Sequence, residues 1–542
     1  MHTVNGDGGD YYSYLMSVFI NNNLGYQDAR AWYVIPTPTG TINVHTLGVS
    51  LLLLPFFCLG YVFAIFSGAE LNGISEPFLK MVSIGALFYL ALGLYFLKKL
   101  LFEFNFKDKV IAITLFLIFF GTNLLNYTVN EPSMSHVYSF SMITAFLYHV
   151  KKLSNQFSRK HLFLSSLLLG LIILIRPVNG IIIFIIPFLS DSFSNFRANV
   201  NEIIHHKKHL LIAIFIFFSV LFIQSFIWYI QNNHLIQWSY KGNGFYFDNP
   251  HTWLMLFGFD SGFFIYTPLC LVVLLGFFPL FKQNKFRCVV LFLFFTFCFY
   301  LFSCYWGYTY FDGLGIRTFV DYYALFSILL ATLLSYVIDK KIKFAAFGLI
   351  LFSSVISLIF CYQYQAGILT RAGMNFNKFK YIFLNTDDSY AGILGGCMDM
   401  EPYKETPPDK IFTYNCNGIY TFKNNEFGLG CKVDPLKITS NRLYVKVKLK
   451  RKEEVLNSSQ MALIVVHVQA ENGDSKNYQA YKLNDVPADI CCNWEYLNYQ
   501  ITIGDKILPN DKLGVYIWNK ERQQFLIENF NVEIYNYNFK TF

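Results

Sequence analysis

Apolar runs near or above the length of about 20 residues needed to cross a bilayer recur along the first two thirds of the chain. They are Phe78–Leu97, Val110–Tyr127, Met134–Val150, Leu162–Ile175, Ile181–Leu189, Leu210–Ile230, Phe263–Phe281, Cys288–Cys304, Phe319–Val337 and Phe344–Phe360. No other feature constrains the fold as much. Of the 542 residues, 54% are hydrophobic and 14% charged, where a soluble chain of this length carries roughly a quarter charged residues. The chain reads as a polytopic α-helical membrane protein and not as a soluble enzyme.

The loops between the runs set the topology. Lys98, Lys99, Lys107 and Lys109 follow the first run; Lys151, Lys152, Arg159 and Lys160 the third; Arg197, Lys207 and Lys208 the fifth. Lys282, Lys285 and Arg287 follow the seventh, and Lys340, Lys341 and Lys343 the ninth. Every second loop is thus basic, as cytoplasmic loops are, and the intervening loops are rich in Asn, Tyr, Trp and Gly. The formal net charge of +8 therefore reports topology and not a nucleic-acid surface. The run Leu47–Phe66 has the look of a span, but counting it inverts every later basic cluster, and it contains Pro55. It reads as a helix lying against the outer interface or dipping into it. The stretch Leu162–Leu189 reads as two spans joined by an outward hairpin at Arg176-Pro177-Val178-Asn179-Gly180. An outward-facing start at Met1 implies either a missing upstream helix or insertion driven by the first long apolar segment.

After Phe360 long apolar runs vanish. Alternating segments appear at Arg442–Lys450, Met461–Val468, Tyr496–Ile503, Leu513–Trp518 and Phe530–Tyr535, separated by turn formers such as Asn472-Gly473-Asp474. They predict an antiparallel β-sandwich, jelly-roll-like, on the same side as the N-terminus. The expected organisation is residues 1–77 as an outer-face loop with an interfacial helix, 78–362 as the helical bundle, 363–412 as a linker and 413–542 as the sandwich. The 11 cysteines lie largely in apolar segments and form no disulfide framework. Cys416 and Cys431 are placed to pair if the sandwich is in an oxidising compartment. No Cys/His spacing suggests zinc, no P-loop or dinucleotide fingerprint is present, and nothing requires a metal or cofactor. Asp387-Asp388 reads as a solvated turn, and His205-His206-Lys207-Lys208-His209 as a cytoplasmic surface cluster.

Polar and ionisable residues at the outer ends of the spans are functional candidates, because charge near the membrane is costly. Asp7 and Asp10 lie in a glycine-flanked, Tyr-rich opening, where a carboxylate can serve as a base or simply be solvated. His45 precedes the interfacial helix, and Glu131 and His136 flank the start of the third span. Glu131 equally suits the positive end of a helix. Arg176 stands at the hairpin tip, suited to phosphate through its planar fork or to snorkelling. A long outer loop supplies Tyr240 and Lys241, and a last one runs Gly313-Leu314-Gly315-Ile316-Arg317. Acidic, cationic and aromatic groups on one face suit a lipid phosphate and a sugar.

The series Asp7-Gly8-Gly9-Asp10-Tyr11-Tyr12-Ser13-Tyr14-Leu15, His45-Thr46-Leu47-Gly48, Glu131-Pro132-Ser133-Met134-Ser135-His136, Arg176-Pro177-Val178-Asn179 and Gly313-Leu314-Gly315-Ile316-Arg317 resembles the GT-C superfamily of membrane glycosyltransferases. The likeness is to bacterial members related to protein mannosyltransferases and the lipid A aminoarabinose transferase, and it covers roughly residues 1–360. It implies transfer of a sugar, of the hexosyl type, from a polyprenyl-phosphate carrier to a glycan, lipid or protein hydroxyl, on the outer (periplasmic) side of a bacterial inner membrane. It implies Asp7 as base with Asp10 second, and Arg176 or Arg317 on the carrier phosphate; His45, Glu131, His136, Tyr240 and Lys241 are further binding candidates from their place on the outer face. A transporter or flippase of lipid-linked glycans would instead place polar groups near mid-bilayer and show an internal repeat, and neither is found. A non-catalytic membrane-anchored glycan binder would have little use for some ten spans.

Overall fold

The structure, a computed structural model, describes residues 4, 6–25, 34–240, 244–310, 313–396, 409–434, 442–459, 461–487, 492–503 and 507–537. These fall into two compact units, one drawn from Met1–Phe257, Gly262–Tyr310 and Leu314–Cys361, the other from Gly258–Ser261, Phe311–Gly313 and Tyr362–Phe542.

The first unit is a helical bundle. Its helices are α1 (Asp7–Phe19), α2 (Gly48–Ser67), α3 (Glu76–Glu103), α4 (Asp108–Phe120), α5 (Leu124–Val129), α6 (His136–Asn155), α7 (Arg159–Ile175), α8 (Phe193–His205), α9 (Lys207–Asn232), α10 (Thr252–Phe257), α11 (Phe263–Tyr266), α12 (Pro268–Val273), α13 (Phe277–Gln283), α14 (Lys285–Ser303), α15 (Tyr323–Val337) and α16 (Lys343–Ala366). A 3-10 helix, Pro177–Leu189, follows α7, and a short one, Arg317–Tyr322, leads into α15. Among the described residues, six helical stretches are long and apolar enough to cross a membrane: Gly48–Ser67, Glu76–Glu103, Lys207–Asn232, Lys285–Ser303, Arg317–Val337 and Lys343–Ala366. All ten predicted runs are helical, but two are interrupted. The run 110–127 stops at Gly121, where the Thr122 hydroxyl accepts from the Leu124 amide at 3.2 Å. The run 263–281 breaks at Thr267-Pro268, because proline has no N–H to continue a helix.

The basic loops gather at one end of the bundle. Lys152 pairs with Glu103 at 3.2 Å, Arg287 pairs with Asp191 at 2.6 Å, and Lys151 donates to the Leu189 carbonyl at 2.9 Å. The stretch 162–189 turns back at Arg176 as a hairpin, since Leu189 returns to this end. The His206 ring stacks on Phe157 here.

Helix α2 has the mean hydropathy of a span, 2.4 over its apolar window, and Pro55 does not interrupt it. Its neighbours place it elsewhere. The hydroxyl of Tyr89 donates to the Leu52 carbonyl, and Tyr61 meets Phe78 with ring centres 6.2 Å apart, so α2 and the first half of α3 run antiparallel. The second half of α3 runs parallel to α6: Tyr89 lies beside Tyr138, Phe96 beside Tyr148, and Glu103 beside Lys152. Phe78 therefore lies about 16 Å beyond the level of Tyr138, measured along α3 at 1.5 Å per residue. The hairpin of α2 and α3 leads away from the basic end, past the start of α6.

The second unit begins with helix α17 (Phe376–Ile382), within what the sequence reads as a linker. That segment is not a free tether: the Asn375 amide donates to Asp485 at 2.7 Å, and the Gly395 and Gly396 amides donate to the Asp485 and Lys482 carbonyls. Asp387 caps the one-turn helix Asp388–Tyr390, as expected of a solvated turn.

Two short strands, β1 (Val34–Pro36) and β2 (Thr41–Asn43), belong to the first unit. The sandwich is built from β3 (Asp409–Phe422), β4 (Phe427–Val433), β5 (Arg442–Glu453), β6 (Leu463–Gln469), β7 (Ser475–Lys482), β8 (Glu495–Ile503), β9 (Lys512–Trp518) and β10 (Phe525–Tyr537). One sheet runs β3-β10-β5-β8 and the other β4-β9-β6-β7, every pairing antiparallel. That order is a jelly roll. Alternate residues of β5, β6, β8 and β9, such as Val445, Val447, Ile464, Val466, Ile501 and Val515, fill the space between the sheets. Cys416 and Cys431 are free thiols.

The α3–α6 contact supplies a test of the bundle. A Cβ on Gly93 would stand 2.8 Å from the Phe140 ring, whereas one on Gly348 of α16 meets nothing within 4 Å. Gly93→Leu is expected to lower stability in detergent by about 1–3 kcal/mol, the cost of overpacking. Gly348→Leu should leave the melting temperature unchanged, as fluorescence-detected thermal unfolding would read.

Candidate functional site

At the end of the bundle opposite the basic loops, α1 lays its first turn against the loop before α6. Gly8 permits that approach, because a Cβ there would fall 1.9 Å from the Ser133 hydroxyl. Asp7 and Asp10 are one turn apart on α1 and so share a face, and an acidic first turn suits the positive end of the helix. They meet different partners. Asp7 Oδ2 pairs with Arg317 at 2.6 Å, and Asp10 Oδ2 meets His45 Nδ1 at 3.0 Å. The Asp10 side chain is buried, whereas Asp7 keeps 36% of its side-chain surface exposed. His45 is fixed from both sides: its ring lies 4.8 Å from Tyr11 and 6.0 Å from Tyr240, and its carbonyl accepts from the Tyr14 hydroxyl at 2.7 Å.

A second carboxylate, Asp321, organises the deeper layer. It has no exposed side-chain surface and lies on the short 3-10 helix before α15. Its Oδ1 meets His136 Nδ1 at 2.9 Å. Its Oδ2 accepts from Arg176 at 3.2 Å and from the Asn179 amide at 2.7 Å. Asn179 in turn donates to Ser139 at 3.1 Å and accepts from the Tyr322 hydroxyl at 3.0 Å. Arg176, at the hairpin tip, is thus held by a buried carboxylate that His136 and Asn179 also fix.

Asp7 is surrounded by cations. Burial alone would raise its carboxyl, but Arg317 first, then His45, Arg176 and His136, outweigh burial and bring it down to about 2. Glu131 and Tyr127 lie within electrostatic range of Arg317. Phenols complete the lining. Burial pushes Tyr11 and Tyr305 up to about 12 and Tyr240 well above its ordinary value, so each keeps its O–H at neutral pH. The Tyr305 and Tyr310 rings stack with centres 5.4 Å apart.

The structure thus brings Asp7, Asp10, His45, Glu131, His136, Arg176, Tyr240 and Arg317 to one end of one unit; Lys241 lies outside the described residues. It adds Asp321, Asn179, Tyr11 and Tyr305, which sequence reasoning did not single out for the site. Asp321 carried a signal, a lone carboxylate inside the apolar run Phe319–Val337. Among the described residues, no group of three or more His, Cys, Asp or Glu side chains is placed to share a metal ion.

No protein-family model matches the chain, and no curated protein does. Among solved structures, the crystal structure of the Archaeoglobus fulgidus oligosaccharyltransferase, in complex with Zn and sulfate, matches 74% of this chain at 14% identity, with a TM-score of 0.34. The chain spans about half of that protein's length, 55%.

Asp321 gives this end of the bundle a test. Asp321→Ala leaves Arg176 buried without its carboxylate, a change that costs about 3–5 kcal/mol. Thermal unfolding in detergent should show a large fall for Asp321→Ala and a smaller one for Asp321→Asn, which retains one acceptor oxygen. A wild-type melting temperature for Asp321→Ala would refute the anchoring role.

Proposed function

We propose that this chain is a GT-C-like glycosyltransferase, moving a hexosyl group from a polyprenyl-phosphate carrier to an acceptor hydroxyl at the outer face of a bacterial inner membrane. The observation that supports the reading is the convergence of a part-exposed carboxylate, two arginines and a wall of protonated phenols at the end opposite the basic loops. Such a site has what a displacement at an anomeric carbon needs. The acceptor oxygen forms the new bond to the anomeric carbon while the carbon–oxygen bond to phosphate breaks. The acceptor's proton passes to Asp7, and the lipid phosphate leaves with the electron pair.

Asp7 is preferred to Asp10 because Asp10 is buried against His45, whereas Asp7 reaches the open side. Arginine donors on the phosphate stabilise the charge that grows as it leaves, and the tyrosine hydroxyls add neutral donors. A phosphate leaving group needs no acid of its own. By the positive-inside rule the basic loops are cytoplasmic, so about ten passes put the site and the sandwich on the periplasmic side. The acceptor is a glycan, lipid or protein hydroxyl.

The test is transfer of radiolabelled sugar from crude membrane polyprenyl-phosphate donors, by wild type and Asp7→Asn at matched membrane levels. Loss of the base should lower transfer by about 10²–10⁴-fold. Equal transfer by both proteins would remove Asp7 from the chemistry, and absence of transfer by wild type with any donor would overturn the glycosyltransferase reading.

A further inference from the structure

The two arginines of the site are held in different ways. Arg176 donates to Asp321, a carboxylate with no exposed surface that also holds His136 and Asn179. Its partner cannot leave without breaking the buried network. Arg317 donates to Asp7, and that carboxylate is 36% exposed. Among the described residues, Arg317 is the one side chain hydrogen-bonded to Asp7. One arginine is an anchor and the other is exchangeable.

On the function proposed above, this pairing contains a conflict. The guanidinium suited to the carrier phosphate lies 2.6 Å from the carboxylate suited to the acceptor's proton. A carboxylate that accepts from a guanidinium is a poor base, and a guanidinium committed to a carboxylate is a poor phosphate clamp. We infer that the Asp7–Arg317 pair is a lock that the carrier phosphate opens: Arg317 passes from the carboxylate to the phosphate, and Asp7 is freed to accept a proton only once the donor is in place. This rests on the polyprenyl-phosphate reading and adds an order of events to it. An empty site would hold a silent base, and water could not use it against a carrier that has not yet bound.

The groups facing Asp7 agree with that order. They are Arg317 from the segment entering α15, His45 from the loop before α2, Arg176 from the hairpin tip and His136 from the start of α6. Tyr11, Tyr240 and Tyr305 face it as neutral phenols. Arg317 is the strongest of the cations acting on Asp7, and burial opposes it. Neutralising Arg317 with phosphate therefore lets burial act, which moves the carboxyl up from about 2. The sign is fixed: in the locked state Asp7 stays ionised until pH falls towards 2, and in the open state it takes up a proton at higher pH. As the carrier's phosphodiester becomes a monoester on leaving, its added charge holds Arg317 more tightly still.

The probe is undecaprenyl phosphate, added to the full chain in zwitterionic nanodiscs, with undecaprenol as the control lacking phosphate. Protonated carboxyls are trapped with a water-soluble carbodiimide and an amine at about pH 5, above the ordinary Asp range, and the Asp7 peptide is quantified by mass spectrometry. Lipid binding is followed separately by thermal shift. Asp7 should be nearly unlabelled alone and gain about tenfold or more with undecaprenyl phosphate, the size of change expected when its carboxyl rises from about 2 towards the ordinary range. Undecaprenol should give no gain. Arg317→Gln should label without lipid and gain nothing from it, while Arg317→Lys, which keeps the charge, should stay low until lipid is added. Binding without any gain at Asp7 overturns the lock and leaves the donor reading standing. A failure of undecaprenyl phosphate to bind overturns both, and an equal gain with undecaprenol overturns the phosphate as the key.

Discussion

A carboxylate without exposed surface is the point from which the rest of the site is set out. Asp321 sits where a charge is expensive, and it is tolerated because His136, Arg176 and Asn179 all address it within 3.2 Å. These partners come from the start of α6, the tip of the hairpin after α7 and the 3-10 helix beyond it. Three separate crossings of the bundle are therefore pinned to one carboxylate at one end. A buried pair of this kind is weak evidence for net stability, so its value here is positional. An arginine held by a satisfied network keeps its place whether or not a ligand is bound.

Around that anchor the structure lays a second layer that is free to respond. Helix α1 is brought close by Gly8, and its two carboxylates divide the work: Asp10 is spent on fixing His45, and Asp7 remains at the open side. Tyr11, on the same turn, contacts His45, which also touches Tyr240 from the loop after α9. The site is thus assembled from segments about 300 residues apart in sequence, as Arg317 and Asp7 are separated by 310 positions. No local motif could have specified it. The rigid layer is centred on a carboxylate without exposed surface, and the responsive layer on a pair whose carboxylate is 36% exposed.

This division explains what could be read from sequence. Spans and basic loops are legible because each is a local consequence of one solvent, hydrocarbon or cytoplasm. The outer-face candidates were found by the same logic, since a charge beside an apolar run stands out. Asp321 escaped because the residues flanking it, Phe319 to Val337, read as one apolar run, although a carboxylate inside such a run is itself the signal. In the sandwich the missed strands are β3, β4 and β7, and all three are sheet edges. The exposed residues of β3 and β7 carry a weaker alternation, whereas the fourth edge, β8, was read because Tyr499, Ile501 and Ile503 alternate into the core. The central strands β5, β6, β9 and β10 were legible because each must present one apolar face to the core.

Helix α2 shows why hydropathy is not sufficient for topology. Its mean hydropathy of 2.4 equals that of α16, and its 20 residues suffice for a crossing. What separates them is register. Tyr89 of α3 is level with Leu52 on one side and Tyr138 on the other, so α2 cannot run beside α6 and must lie beyond its start. Two contacts of Tyr89, a hydrogen bond to Leu52 and a ring contact with Tyr138, thus decide a question that 20 apolar residues leave open. The same hairpin frames α1, for the Tyr12 hydroxyl donates to the Gly73 carbonyl at 2.8 Å in the turn between α2 and α3. An apolar helix that does not cross the bundle therefore supports the helix that carries Asp7, which is a use for hydrophobicity that span counting cannot register.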